Sequence, residues 1–450
     1  MKQTTHLELT PAMKRYLLLF AAFTALLSVK RIITSVTTLW IYKKDILSGY
    51  LLAKAIVTGV NPYLPLNELA NLWLPAHNIT DLNHPTPHPF AIGWLCLPLA
   101  WLSYEAAARV WLLFELCCLG VAVALFFRAL ELKFQWRRWA LACLLALGWV
   151  PVLDDLWLGQ FSLCLLALFM GAWVLLREHK DWQGGLLLGV LMTLKLAGWP
   201  IVLFLLLRRR WRGVFAAGAC FAGLHLIAIS VHGWALVRDY YLKIGPQLSA
   251  HYRSHDANFS AWTIGTRLFT ESGFNFALTP LWNAPFLAKA VNVLLPALLL
   301  ALALWLAWRL ETQARSFDAA FALLLGAGCV LNPIAWTHYL ILAAPALALL
   351  LRRLHEWRWP RRLTYQTLLL VWPLMLAQLT FVALAMRFAS GVNAAGLPVV
   401  GVLPGLLTLI PLAALLGLLW WFARLHLQPR RAEALDWVEA VAPENAVVTG

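Results

Sequence analysis

Charge is what this sequence has least of. Only 13% of its 450 residues are Asp, Glu, Lys or Arg, about half the share in an ordinary soluble domain, which excludes a water-facing globular fold. Acid is scarcer still, with 21 Asp and Glu against 36 Lys and Arg. Between Glu8 and Glu68 the sole acidic residue is Asp45. No short strand-length segments alternate apolar and polar residues, which excludes a closed membrane barrel. The 7 cysteines form no CxxC and no metal-ligand spacing. All lie in apolar runs, where thiols act as small packing groups. No internal repeat is visible, and no stretch reads as a separate soluble domain.

What is present is hydrophobic length. The chain is 62% hydrophobic, with a mean hydropathy of +0.72. Apolar runs of roughly 15 to 25 residues recur from Tyr16 to Phe422, the length a membrane helix requires. The fold class expected is an all-α polytopic membrane protein, embedded among membrane lipids. The formal charge of +15 invites a nucleic-acid partner, but the basic residues fall in short clusters between apolar runs. That pattern sets topology instead, so no nucleic acid is expected.

The positive-inside rule orders the spans. With Lys14-Arg15 inside as a retained anchor, the first helix delivers Asp45 to the outer side. The clusters at Arg128–Arg138, Arg177/Lys180, Arg208–Arg212, Arg309/Arg315, Arg352–Arg362 and Arg424–Arg431 then all belong inside. Two adjustments make this possible. Residues 90–104, short and interrupted by Pro98, lie at the outer interface. Residues 184–207, broken by Lys195, Gly198 and Pro200, form a re-entrant hairpin of two short helices with Lys195 at its outward tip. About twelve transmembrane helices result, in one integral-membrane domain over residues 1–430 with a short cytoplasmic tail at 431–450. Two large extracytoplasmic loops, 41–89 and 234–283, face outward. Loops of that length are usually functional.

This topology puts Asp45, Asp154, Asp155, Lys195, Asp256 and His338 on one face. Each has a plainer alternative. Lys43 and Lys44 can neutralise Asp45, and Asp154-Asp155 can cap a helix or hold a divalent cation. Lys195 can snorkel to the interface. His84 and His88 can merely bridge the turn backbone around them. Together the set provides cations for a phosphate-like group, and a carboxylate or His to activate a hydroxyl.

The motifs in order sharpen this. Asp45, Tyr50, Ala53 and Ala55 precede Gly59-Val60-Asn61-Pro62-Tyr63. His88-Pro89-Phe90 opens a Pro-containing apolar stretch, and Gly159-Gln160 opens a helix. Leu194-Lys195-Leu196 sits before Pro200 and a basic turn. Asn258-Phe259-Ser260 is followed by Arg267, and Asn332-Pro333-Ile334-Ala335-Trp336-Thr337-His338-Tyr339 comes last. The series resembles the bacterial polyprenol-phosphate-mannose-dependent α-mannosyltransferases of the GT-C superfamily. Ile46 departs from it, standing where that family often has Phe, and so does the histidine-rich stretch 84–89.

The resemblance implies an inverting hexosyltransferase. It takes mannose from a polyprenyl-phosphate-linked donor to a lipid or glycan acceptor, at the outer face of the inner membrane. Asp45 is then the general base. Lys195, His338 and Arg267 receive the donor phosphate, and Tyr63, His88, Gln160, Asn258, Trp336 and Tyr339 contact substrate. No cofactor is required, though a divalent cation at Asp154 and Asp155 remains open. The competing reading is a lipid or sugar transporter or flippase. A noncatalytic envelope-assembly subunit is a third.

Overall fold

The computed structural model describes residues 11–428 apart from Asn78, Asp81 and Arg358. The tail expected at 431–450, the basic residues Arg358, Arg430 and Arg431, and the side chain of Lys14 lie outside the described residues.

Helix α1 (Pro11–Thr37) carries the first apolar run and gives way to a tight turn, Leu39–Lys43, that leads into Asp45. The first expected outer segment is largely ordered. It contains α2 (Ile46–Thr58), α3 (Leu66–Trp73) and a Pro- and His-rich turn region. Helix α4 (Phe90–Cys96) tightens at Leu97–Trp101 and then stops. The Ser103 hydroxyl starts α5 (Tyr104–Ala129) by accepting from the Ala106 N–H at 3.4 Å. Residues 90–101 are therefore a short apolar piece distinct from α5, packed on α2.

Helices α6 (Trp136–Leu147) and α7 (Val150–Leu158) meet at 78°, ahead of α8 (Ser162–Arg177). The hairpin expected at 184–207 is present as α9 (Asp181–Lys195) and α10 (Trp199–Leu207). Its two far ends come together where Arg210 donates to Asp181 at 3.2 Å, leaving Lys195 at the turn. The turn uses left-handed backbone at Leu196 (φ 46°) and Gly198 (φ 85°), and Pro200 sits in the first turn of α10. Helix α11 (Trp211–His232) lies close against α9. A Cβ on Gly189 would stand 2.6 Å from the Ala217 carbonyl oxygen, so only a small residue permits this approach.

The second outer segment is also mostly helical. Helix α12 (Trp234–Asp239) widens through Tyr240–Ile244 into α13 (Gly245–Arg253), and α14 (Ile264–Phe269) follows. The chain continues through α15 (Pro285–Thr312), α16 (Phe317–Leu331), α17 (Ala344–Glu356), α18 (Arg361–Val371), α19 (Gln378–Met386), α20 (Val402–Gly405) and α21 (Ile410–Leu427). One small sheet departs from an all-α fold. Its order is β1 (Ala277–Thr279), β3 (Pro398–Gly401), β2 (Ala389–Val392), with β1 parallel and β2 antiparallel to β3.

The protein is a helical membrane protein, and helix length and composition do not confirm the expected count of twelve spans. Among the described residues, five helices are long and apolar enough to cross, or seven if each of two bent pairs is one span. Helices α8 and α16 have 16 and 15 residues. At 1.5 Å per residue they reach about 24 Å, short of a hydrocarbon core of about 30 Å.

Several basic clusters meet at one end of the bundle. Arg128 pairs with Glu178 at 2.6 Å, Arg177 with Glu131 at 2.8 Å and Arg208 with Glu311 at 2.7 Å. Arg352 reaches the Leu130 carbonyl. Lys195 lies at the other end of α9, about 21 Å away by helix rise.

Candidate functional site

Asp45 is placed by the helix it faces. Its N–H donates to the Leu158 carbonyl at 2.7 Å. The preceding Lys44 is buried and donates to Ser35 Oγ at 3.1 Å, to the Leu156 carbonyl at 2.9 Å and to the Trp157 carbonyl. The open carbonyls at the end of α7 thus hold both residues. Burial lowers the Lys44 ammonium to about 8, still a cation at neutral pH. Lys43 rests over the Trp40 ring at 5.7 Å. Neither lysine forms an ion pair with Asp45, so the expected neutralising alternative gives way to a carboxylate that opens onto a cavity.

The acidic pair serves the next residue of the site. Asp155 accepts from the N–H groups of Ser162 and Leu163, both at 3.1 Å, and so caps α8. Its carbonyl accepts the Gln160 N–H at 2.9 Å. Between them Gly159 adopts φ 67°, where a side chain would also crowd Ile46 at 3.0 Å. This turn aims Gln160 at Asp45, and Gln160 Nε2 donates to Asp45 Oδ2. The cation-site reading of Asp154 and Asp155 is thereby corrected. Asp155 has spent both oxygens on a helix terminus, and Asp154 faces Arg31 and the Thr337 hydroxyl. Among the described residues no group of three His, Cys, Asp or Glu side chains is placed to hold a metal.

Asp45 and Gln160 line a cavity of about 960 Å³ with Lys195, His88, His338, Tyr339 and Trp336. Lys195 Nζ lies 3.5 Å from Gln160 Oε1 and 3.3 Å from the Tyr339 hydroxyl, to both of which it donates. Its ammonium also sits over the Phe161 and Tyr339 rings, 5.4 and 5.2 Å from their centroids. His88 is buried edge-on to Phe161 at 5.0 Å. Burial, with help from Lys195, holds its imidazole neutral, well below the usual histidine range. His338 is 2% exposed, and its Nε2 has no hydrogen-bond partner among the described residues. A buried ring nitrogen without a partner is costly unless something binds it. Burial in the protein raises the Asp45 carboxyl above its ordinary range, opposed by the Gln160 hydrogen bond and then by the charge of Lys195. Because Asp45 opens onto the cavity, water moderates the rise, and a ligand that expels the water strengthens it.

Four residues expected at the site stand behind it or apart from it. Asn258 accepts from the N–H groups of Ser260 and Ala335 and donates to the Tyr252 and Pro333 carbonyls. It ties the second outer segment to the loop bearing Trp336 and His338. Tyr63 is buried and stacks on Tyr240 at 5.4 Å, and the Tyr240 hydroxyl donates to the Pro87 carbonyl at 3.0 Å. Asp256 accepts from Asn275 through both oxygens. Arg267 is corrected as a phosphate ligand. It is 2% exposed, and its guanidinium donates to the carbonyls of His255, Asp256 and Asn258 and to Thr408. A cation surrounded by carbonyls is occupied in holding a loop together.

Both outer segments contribute to the one cavity, and the sequence reading missed much of what they bring. Tyr42, Tyr240, Tyr241 and Tyr252 line it together with the expected Tyr339, five of the 10 tyrosines in the chain. Crowding of a scarce residue into residues 240–252 was the available signal. His84 and His255 line it too, and His84 Nε2 meets the Tyr252 hydroxyl at 3.1 Å across the two segments. Apolar residues complete the lining, among them Phe169, Trp199, Leu324, Leu325, Leu331 and Leu342. These residues look like ordinary core positions in sequence, and nothing local distinguishes them.

Similarity to known proteins covers the middle of the chain. The family model for glycosyltransferase family 87 matches residues 88–333, more than half of its length. The match includes Lys195, Gln160, Asn258 and Arg267 and stops short of Asp45 and His338. No curated protein and no solved structure matches the chain.

Proposed function

The chain belongs to glycosyltransferase family 87, and on that premise we propose that it is a GT-C-type hexosyltransferase using a polyprenyl-phosphate sugar. The sugar is mannose by the sequence resemblance. The acceptor is a hydroxyl of an envelope glycolipid or glycan, on the extracytoplasmic face of the inner membrane. The observation that carries this reading is the cavity's mixed lining. A carboxylate, an ammonium and two buried imidazoles line it together with a set of apolar side chains, which suits a ligand with a phosphorylated head and a hydrocarbon tail.

In this mechanism the acceptor hydroxyl gives its proton to Asp45 Oδ1, because Gln160 already occupies Oδ2. The hydroxyl oxygen attacks the anomeric carbon from the face opposite the phosphate. The bond from that carbon to the phosphate oxygen breaks, its electron pair leaves with polyprenyl phosphate, and the configuration inverts. Three lysines line the cavity, and two are committed elsewhere, Lys44 to carbonyls and Lys43 to Trp40. Lys195 is therefore the ammonium that meets the developing phosphate charge, and the His338 Nε2–H is a second donor. The phosphate leaves as a stable anion, so neither a general acid nor a cofactor is needed.

The test is transfer from radiolabelled polyprenyl-phosphate mannose by the purified protein and its Asp45→Asn variant. General-base loss lowers turnover by roughly 10²- to 10⁴-fold, with the variant still folded. Full transfer by Asp45→Asn would refute the mechanism.

A further inference from the structure

Resting on the transferase reading above, we infer that the acceptor subsite is the wall formed by Tyr252, His255 and Trp336, and that it takes an uncharged sugar ring rather than a phosphorylated headgroup. Three observations carry this. The first is the division of charge around Asp45. Of the three lysines that line the cavity, Lys44 is held by carbonyls and Lys43 over Trp40, and Lys195 lies on the Gln160 side. The cavity wall contributed by residues 240–255 and 332–336 contains no Lys, Arg, Asp or Glu. An anionic acceptor would reach this wall without a counter-charge and would face the Asp45 carboxylate as well.

The second is the shape of that wall. The Trp336 ring is held edge-to-face by His255, with centroids 4.8 Å apart at 84°, and by Tyr252 at 5.8 Å and 87°. His255 is fixed in turn by stacking on Phe274 at 4.4 Å and by accepting the Ala257 N–H at 3.1 Å. Two neighbours brace Trp336 from the side, and it remains part-exposed at the cavity. A pre-set aromatic face of this kind packs against the C–H face of a pyranose at little entropic cost.

The third is hydrogen bonding next to that face. The Tyr252 hydroxyl and His84 Nε2 form a 3.1 Å pair at the edge of the platform. Both groups exchange hydrogen bonds readily with sugar hydroxyls. Both also line the same cavity as Asp45, so a sugar on Trp336 shares that cavity with the base.

The experiment separates this subsite from the donor chemistry. Saturation-transfer NMR on the full-length protein in nanodiscs uses methyl α-D-mannopyranoside as the neutral probe and glycerol 1-phosphate as the anionic one. The expected result is signal on the mannoside ring protons that falls at least fivefold in Trp336→Ala and returns in Trp336→Phe. Glycerol 1-phosphate should fail to displace the mannoside. In transfer assays Trp336→Ala should raise the acceptor KM at least tenfold while the donor KM stays within twofold. Signal for glycerol 1-phosphate alone, or a mannoside signal indifferent to Trp336→Ala, overturns the inference. Mannoside binding lost with Trp336→Ala, in a protein that consumes no labelled donor, sustains the sugar subsite and refutes the transferase reading instead.

Discussion

Replacing Lys195 with Met tests the electrostatic core of the mechanism. The side chain keeps its length and apolar stem but loses its charge. Its native contacts are two hydrogen bonds of 3.3 and 3.5 Å and two ring faces, at a position only half buried. The stability cost should therefore stay near about 1 kcal/mol. Catalysis should suffer far more, because a single preorganised donor to a developing oxyanion is worth about 2.7–4 kcal/mol, or roughly 10²- to 10³-fold in kcat. A second effect goes with it. The Lys195 charge is one of the influences holding the Asp45 carboxyl down against burial, so its removal lets that carboxyl rise further. Asp45 must be ionised to act as base, so the acid limb of the pH–kcat profile should move to higher pH. The assay is kcat against pH with labelled polyprenyl-phosphate mannose, alongside thermal unfolding in the same detergent. Unchanged kcat, or a drop with an unmoved acid limb, would refute the assignment of Lys195 and its coupling to Asp45.

Three further outcomes follow from the geometry. Asp155→Ala strips the cap from α8 and should cost about 1–2 kcal/mol in thermal unfolding, with Asp155→Asn closer to native. A variant as stable as the parent would show that the cap is idle. Arg267→Met leaves three buried carbonyls without their donor, so it should lose folded protein on size-exclusion chromatography. A well-folded Arg267→Met with a raised donor KM would restore the phosphate-binding role. Burial, opposed by Asp256, holds the His255 imidazole at about 4 against 6.5 in the unfolded chain. Between those values the unfolded state binds more protons, so stability should rise with pH from about 4 to 6.5 and fall as pH is lowered through that window. The groups facing it include Asp256, Arg267 and His251. Thermal unfolding of His255→Phe should show a shallower slope with pH there, and an unchanged slope would exonerate His255.

Much of the site was legible before folding, and the reason is local. Long apolar runs in a chain with little charge determine a helical membrane protein, because lipid offers unpaired backbone no partner. Asp45 stood out as a lone carboxylate after the first run. Lys195, Gly198 and Pro200 broke an apolar stretch where a hairpin had to turn, and the two helices do turn back there, with Arg210 meeting Asp181. Gly159-Gln160 marked the turn that aims Gln160. Each of these signals is written within a few residues.

What only the tertiary structure decided is where each polar group spends its bonds. Lys195 and Arg267 were both expected to meet the donor phosphate, Arg267 the weaker candidate of the two. The fold aims one at a cavity and encloses the other among the carbonyls of residues 255–258. Asp154-Asp155 read equally well as a cap or a cation site, until Asp155 met the N–H groups of α8. Tyr252 and Trp336 are 84 positions apart in the chain, as their numbers show, and they share a wall because Asn258 binds the Pro333 carbonyl. Whether a buried group is occupied or free depends on partners contributed by distant segments, and composition or spacing cannot supply that.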